Sequence, residues 1–175
     1  DFGLAATTTR YIAQYHAETD RLKEENFLAV VYMIYCAIGF FVVIIGVGLY
    51  HSIPTLYGGT LANAEIRQVQ TMFIILVFNL LLSLFGHPML GVLRAYEQFI
   101  FANALNIIKV ILRSASLFTI LSAMDGSATS IVLVESTFNI LFFLGCSIYV
   151  FRVCRVRVRL HRFSISMVRE IFKFS

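Results

Sequence analysis

The chain has 175 residues, of which 59% are hydrophobic and 14% charged, and its mean hydropathy is +0.82. A soluble domain is typically about 25% charged, so the composition argues against a fold dispersed in water and fits one dissolved in lipid. The formal net charge is +4, and the cations cluster instead of spreading evenly, which makes them a signal of topology.

Residues 1–16, DFGLAATTTRYIAQYH, are small, polar and helix-compatible, with Arg10 near the middle. They read as the end of a spanning helix that faces protein or water, or else as an amphipathic surface helix. Gly3, Thr7, Arg10 and Gln14 share one face. Ala17 to Asn26, AETDRLKEEN, reads as a charged turn.

A spanning helix needs about 20 apolar residues, because the hydrocarbon core is about 30 Å thick and each residue rises about 1.5 Å. Phe27 to Tyr50 meets this with no charged residue. A loop from His51 to Ile66 follows, carrying Pro54 and Gly58-Gly59. The next span covers 68–93, uncharged between Arg67 and Arg94. Within it Asn79, Ser83 and His87 recur every four residues, and His87 precedes Pro88, where a kink is expected. After a short link, Arg94 to Gln98, the span 99–124 is interrupted by Lys109 and Arg113. Asp125-Gly126-Ser127 reads as a tight turn. The span 128–151 carries Glu135 and, one turn on, Asn139. Residues 152–175 form a basic segment, with RVCRVRVRLHR suited to anionic lipid head groups and SISMVREIFKFS reading as the start of a further helix. The expected fold is all-α, a polytopic transmembrane bundle of about five helices. The first residue is not Met and the last ones open another segment, so a piece of a longer protein is expected.

Lys and Arg concentrate in cytoplasmic loops. Arg21, Lys23, Arg94 and the basic segment fall on one side of five alternating spans, and only Arg67 falls on the other. The basic segment is therefore expected in the cytoplasm.

Charge inside a span costs about 2.5–3.5 kcal/mol on insertion scales, so such residues face a cavity or a partner. Asn106, Lys109, Arg113 and Ser116 lie on one helical face. With Arg10 they predict a cationic cavity in which Arg10, Lys109 and Arg113 outnumber Glu135. A phosphate or pyrophosphate group suits such a cavity, because guanidinium matches its geometry. Against this stands the plainer reading that Arg113 pairs with Glu135, whose depths differ by about 6 Å. Asn79, Ser83 and Asn139 read first as hydrogen bonds between helices. Neither HExxH, GxSxG nor a Walker sequence occurs, and Cys36, Cys146 and Cys154 lack metal-ligand spacing. No enzyme, metal or cofactor is expected, and a nucleic-acid partner is not.

DFGL, then TTTRYIAQY and a charged turn, resembles the second helix of polysaccharide-repeat-unit flippases. GVLRAYEQFIFANALNI, residues 91–107, is similar to that family's G-x-L-x-[AG]-x-[EQ] stretch, and REIFKFS to its approach to the seventh helix. The resemblance implies helices two to six, the N-terminal lobe of a two-lobed exporter of the multidrug/oligosaccharidyl-lipid/polysaccharide superfamily. It implies alternating-access export of an undecaprenyl-pyrophosphate-linked oligosaccharide for surface polysaccharide such as O-antigen or lipopolysaccharide. Arg10 matches the family's basic position in its second helix. Two other readings are a cation-coupled drug exporter of the same superfamily and a membrane-embedded glycosyl- or acyltransferase. The first would favour acidic cavity residues. The second would need a catalytic His or Asp with a partner, whereas His51 and His87 fall on opposite sides.

Overall fold

The computed structural model describes residues 3–59, 61–123 and 128–160. Five α-helices follow in order: α1 Leu4–Ala17, α2 Arg21–Tyr57, α3 Asn63–Ala95, α4 Phe99–Ala123 and α5 Ala128–Tyr149. A π-helical turn, Val150–Cys154, continues α5, and among the described residues there is no strand. α2, α3, α4 and α5 with its π turn are long and apolar enough to cross a membrane. α1 has 14 residues, about 21 Å at about 1.5 Å each, so alone it falls short of the hydrocarbon core. The expected turn at Asp125-Gly126-Ser127 and the expected helix start after Ser164 lie outside the described residues.

The helices run further than hydropathy suggests. α2 has 37 residues and takes in most of the charged stretch read as a turn. Asp20 starts it by accepting the Lys23 backbone N–H at 3.1 Å, and the Lys23 ammonium lies 2.9 Å from the same carboxylate. These bonds hold the Asp20 carboxyl below its usual range. Arg, Leu, Lys and Glu are good helix formers, so nothing in RLKEE stops the helix before the apolar run. At its far end α2 passes through Pro54 to Tyr57, where a loop was expected from His51. Pro54 gives up its own N–H bond and its ring crowds the Tyr50 carbonyl, yet the helix runs on to Tyr57. The link to α3 is correspondingly short, and the Glu65 carboxylate accepts the Ala62 N–H at 2.8 Å to start that helix.

α1 and α3 end alike. Thr19 and Glu97 both have φ 56°. In each case the residue with positive φ and its successor donate back across the last turn: Thr19 to His16 and Asp20 to Tyr15, Glu97 to Arg94 and Gln98 to Leu93. These two reversals lie at one end of the bundle, where α2 and α4 begin. Tyr96 bridges them. Its hydroxyl donates to Glu24 at 2.7 Å, and its ring lies 4.1 Å from that of His16. Burial, then the bond to Glu24, pushes the Tyr96 phenol up from its ordinary range. Beside it Tyr149 stacks on Phe101 at 3.8 Å and donates to Gln98 at 2.9 Å, closing α5 onto the start of α4. Arg21, Arg94 and, after α5, Arg152, Arg155, Arg157 and Arg159 belong to this basic end.

α3 is the hub, packing against α1, α2, α4 and α5. The core lies where α1, α2 and α3 meet near the basic end: Leu4, Ile12, Phe27, Leu28, Val30, Val31, Tyr35, Val92 and Leu93 are almost fully buried. Apolar burial does not drive helices together in lipid, so close approach of small residues matters more. A Cβ on Gly91 of α3 would stand 3.1 Å from Thr8 Cγ2 of α1. Thr8 is 1% exposed and its hydroxyl bonds to Leu4 O at 2.7 Å, so it has no room to yield. The outer surface is as greasy as the core, with Phe40, Phe41 and Ile45 of α2 and Ile100 and Ile111 of α4 exposed. Cys36 is exposed on α2, whereas Cys146 and Cys154 are buried.

Gly91→Val should therefore lower stability by about 1–3 kcal/mol, as overpacking of a tight contact does. Unfolding by SDS in mixed micelles would measure it, and Gly48→Val, on α2 with nothing near its Cβ, should leave the midpoint unchanged.

Candidate functional site

Three polar constellations lie between α3, α4 and α5. The first is a cleft of about 300 Å³. From α3 it takes Ser83, His87 and Arg94, from α4 Asn103, Asn106 and Lys109, and from α5 Asn139, with Phe99, Phe142 and Phe143 among its apolar walls. Arg94 and Phe99 stand at the basic end. Ten residues along α4, about 15 Å deeper, lies Lys109. Its ammonium sits 5.0 Å from the centre of the Phe142 ring, which holds the cation at the wall. The cleft is thus lined by two fixed cations, three amides, a hydroxyl and an imidazole, and among the described residues no acidic side chain lines it.

The second constellation floors the cleft. Asn79 of α3 donates to Ser136 of α5 at 2.6 Å and to its own helix at Ile75 O, 3.1 Å away. Asn139 of α5 donates back to Asn79 Oδ1 at 3.3 Å, and Ser136 also reaches Val132 O at 2.7 Å. Asn79 and Ser136 are buried. This is the helix-to-helix hydrogen bonding read for Asn79 and Asn139, and Asn139 serves both the network and the cleft.

The third lies one turn of α4 beyond Lys109. Arg113 Nε is 2.6 Å from Glu135 Oε2, with the side chains 40% and 29% exposed. The stripe Asn106, Lys109, Arg113, Ser116 therefore divides by depth. Asn106 and Lys109 face the cleft, Arg113 is held by Glu135, and Ser116 bonds to Leu112 O of its own helix at 2.8 Å.

The expected cationic trio is not gathered. Lys109 lines the cleft, whereas Arg113 and Arg10 do not. Arg10 is exposed on α1, whose buried arc is Leu4, Thr7, Thr8, Tyr11 and Ile12 facing α2 and α3. Thr7 sits at the edge of that arc, while Arg10 and Gln14 fall outside it, so the expected polar face of α1 is split by packing. The cation that does join Lys109 is Arg94, read from sequence only as a loop charge. Asn103 was also missed, although it precedes Asn106 by the same step of three that separates Asn106 from Lys109. Among the described residues no group of three or more His, Cys, Asp or Glu converges as a metal would require. No family model, curated protein or solved structure matches the chain.

Breaking the Arg113–Glu135 pair should cost more than removing it. In a double-mutant cycle, Arg113→Gln and Glu135→Gln should each destabilise the bundle, and the double variant should recover part of the loss, a coupling of about 1–2 kcal/mol. Additive losses would mean that the two side chains do not depend on one another.

Proposed function

We propose that the chain is part of a membrane transporter that moves a lipid-linked oligosaccharide, of the undecaprenyl-pyrophosphate type, from the cytoplasmic to the outer leaflet. The observation that carries this reading is the cleft's charge: Arg94 and Lys109 line it with amides between them and, among the described residues, without an acidic one. A pyrophosphate needs cations and N–H donors, and guanidinium and ammonium groups in a site partly withdrawn from water bind it far better than they would in bulk solvent. The amides of Asn103, Asn106 and Asn139 suit sugar hydroxyls, which both donate and accept. The exposed apolar faces of α2 and α4 leave a place beside the cleft for a prenyl chain in lipid. In this reading the basic end faces the cytoplasm, as the positive-inside rule requires, and the cleft takes up its cargo there. A further lobe of the same chain would close the cleft for alternating access.

A drug exporter for cationic cargo has weaker support. Glu135, an acidic residue within a described span, is neutralised by Arg113 and lies outside the cleft.

With the protein in nanodiscs, Lys109→Gln should weaken binding of undecaprenyl pyrophosphate by at least about tenfold, the loss expected for one charge-assisted bond. Arg10→Ala should leave it within about twofold. Equal affinity for undecaprenyl pyrophosphate and uncharged undecaprenol would contradict the reading.

A further inference from the structure

A second basic site lies outside the cleft, at the bundle's basic end. Arg21 opens α2, whereas Arg155 and Arg157 follow α5 by way of the π turn, yet all three line one cavity of about 290 Å³ with Glu25 and Phe151. Its construction is specific. Arg155 has φ 52°, in the left-handed region, and there the chain leaves the helix. Cys154 before it and Val156 after it are 7% and 4% exposed, both part of the main core. The segment is thus pinned on either side of Arg155. Buried Val156 lies between Arg155 and Arg157, so the backbone that carries both exposed arginines is anchored to the core beside the cavity they line.

The charges there are three guanidiniums against one carboxylate. The three arginines are exposed and come from two segments far apart in sequence, so the cavity offers an anion several N–H donors at once. The cavity sits where the apolar runs of α2 and α5 stop, so its depth is that of lipid head groups. Phe151, half exposed in its wall, offers an apolar surface of the kind that belongs next to the glycerol and upper acyl region.

We propose that Arg21, Arg155 and Arg157 form a binding site for the phosphodiester head group of an anionic phospholipid. The guanidinium plane matches two phosphate oxygens at once, and two arginines of one segment facing a third of another define a pocket that a diffuse basic surface does not. A lipid held there would tie the start of α2 to the end of α5. This site is independent of the cleft and of its proposed cargo.

The test is lipid retention by the protein in nanodiscs of phosphatidylcholine doped with phosphatidylglycerol, read by native mass spectrometry after release from the disc. The protein should keep phosphatidylglycerol over phosphatidylcholine. R21Q and R157Q should each reduce that retention about fivefold, the weight of one basic residue at an anionic surface. R159Q, whose side chain does not line the cavity, should reduce it less than about twofold. Helix content by circular dichroism should be the same in all three variants, because each arginine is exposed. If R21Q fails to fold, the contrast between R157Q and R159Q still decides. Equal losses from R157Q and R159Q would show a diffuse basic surface and overturn the site. Retention unaffected by R157Q would overturn it too. Complete displacement of the lipid by millimolar inorganic phosphate would assign the pocket to a free anion and overturn the lipid.

Discussion

A polar side chain within a bilayer has no water to bond to, so it must bond to another helix, and that constraint organises this bundle around α3. Asn79 lies in the middle of a helix whose other mid-span residues are almost all aliphatic or aromatic. Its amide meets Ser136 and Asn139 of α5, which locks the two helices in rotation as well as in distance. With that register fixed, everything that α5 carries is placed. Glu135 turns toward α4 and Arg113, and Phe142 presents its face to Lys109. The cleft has an amide floor and cationic walls because the same hydrogen bonds that hold the helices together end at its base.

The other side of α3 works by shape. Gly91 lets α1 come close enough for Thr8 to fill the space, and the aromatic cluster of Tyr11, Tyr15 and Phe27 packs α1 against the start of α2. α1 is shorter than a bilayer is thick, yet Leu4 and Ile12 are as buried as any residue of the core. It acts as a brace along the basic half of the bundle. The reversals at Thr19 and Glu97, joined through Tyr96 and Glu24, complete that end, at which the cleft and the arginine pocket both begin.

The sequence made the helices plain, because an uncharged run such as Phe27 to Tyr50 has only one way to satisfy its backbone in lipid. It made their ends less plain. Hydropathy marks where the chain is greasy, whereas α2 begins where Asp20 can cap it and continues past Pro54. The pairing of Arg113 with Glu135 was legible from depth, since both can be counted from one turn. Membership of the cleft was not. A helical wheel tells which side chains share a face but not which neighbour that face meets. Arg10 looked like a partner for Lys109 because it shares a polar face with Gly3, Thr7 and Gln14, but α1 docks through Leu4, Thr7, Thr8, Tyr11 and Ile12 and leaves Arg10 exposed. Arg94 looked like an ordinary loop charge, and it joins the cleft only because α3 stays helical to its end.

A positively charged cleft that runs from Arg94 at the basic end to Lys109 within the span should be open to water. Thiol labelling tests it most directly. In a background without Cys36, Cys146 and Cys154, single cysteines at Asn103, Asn106 and Ile108 would be exposed to small anionic and cationic methanethiosulfonates. Cysteine at 103 and 106 should label, faster with the anionic reagent and only from the basic side, and replacing Lys109 with Gln should erase that preference. Position 108, on the outer apolar face of α4, should stay unlabelled in the bilayer. Labelling of 106 no faster than of 108, or equal rates for the two reagents, would contradict the account.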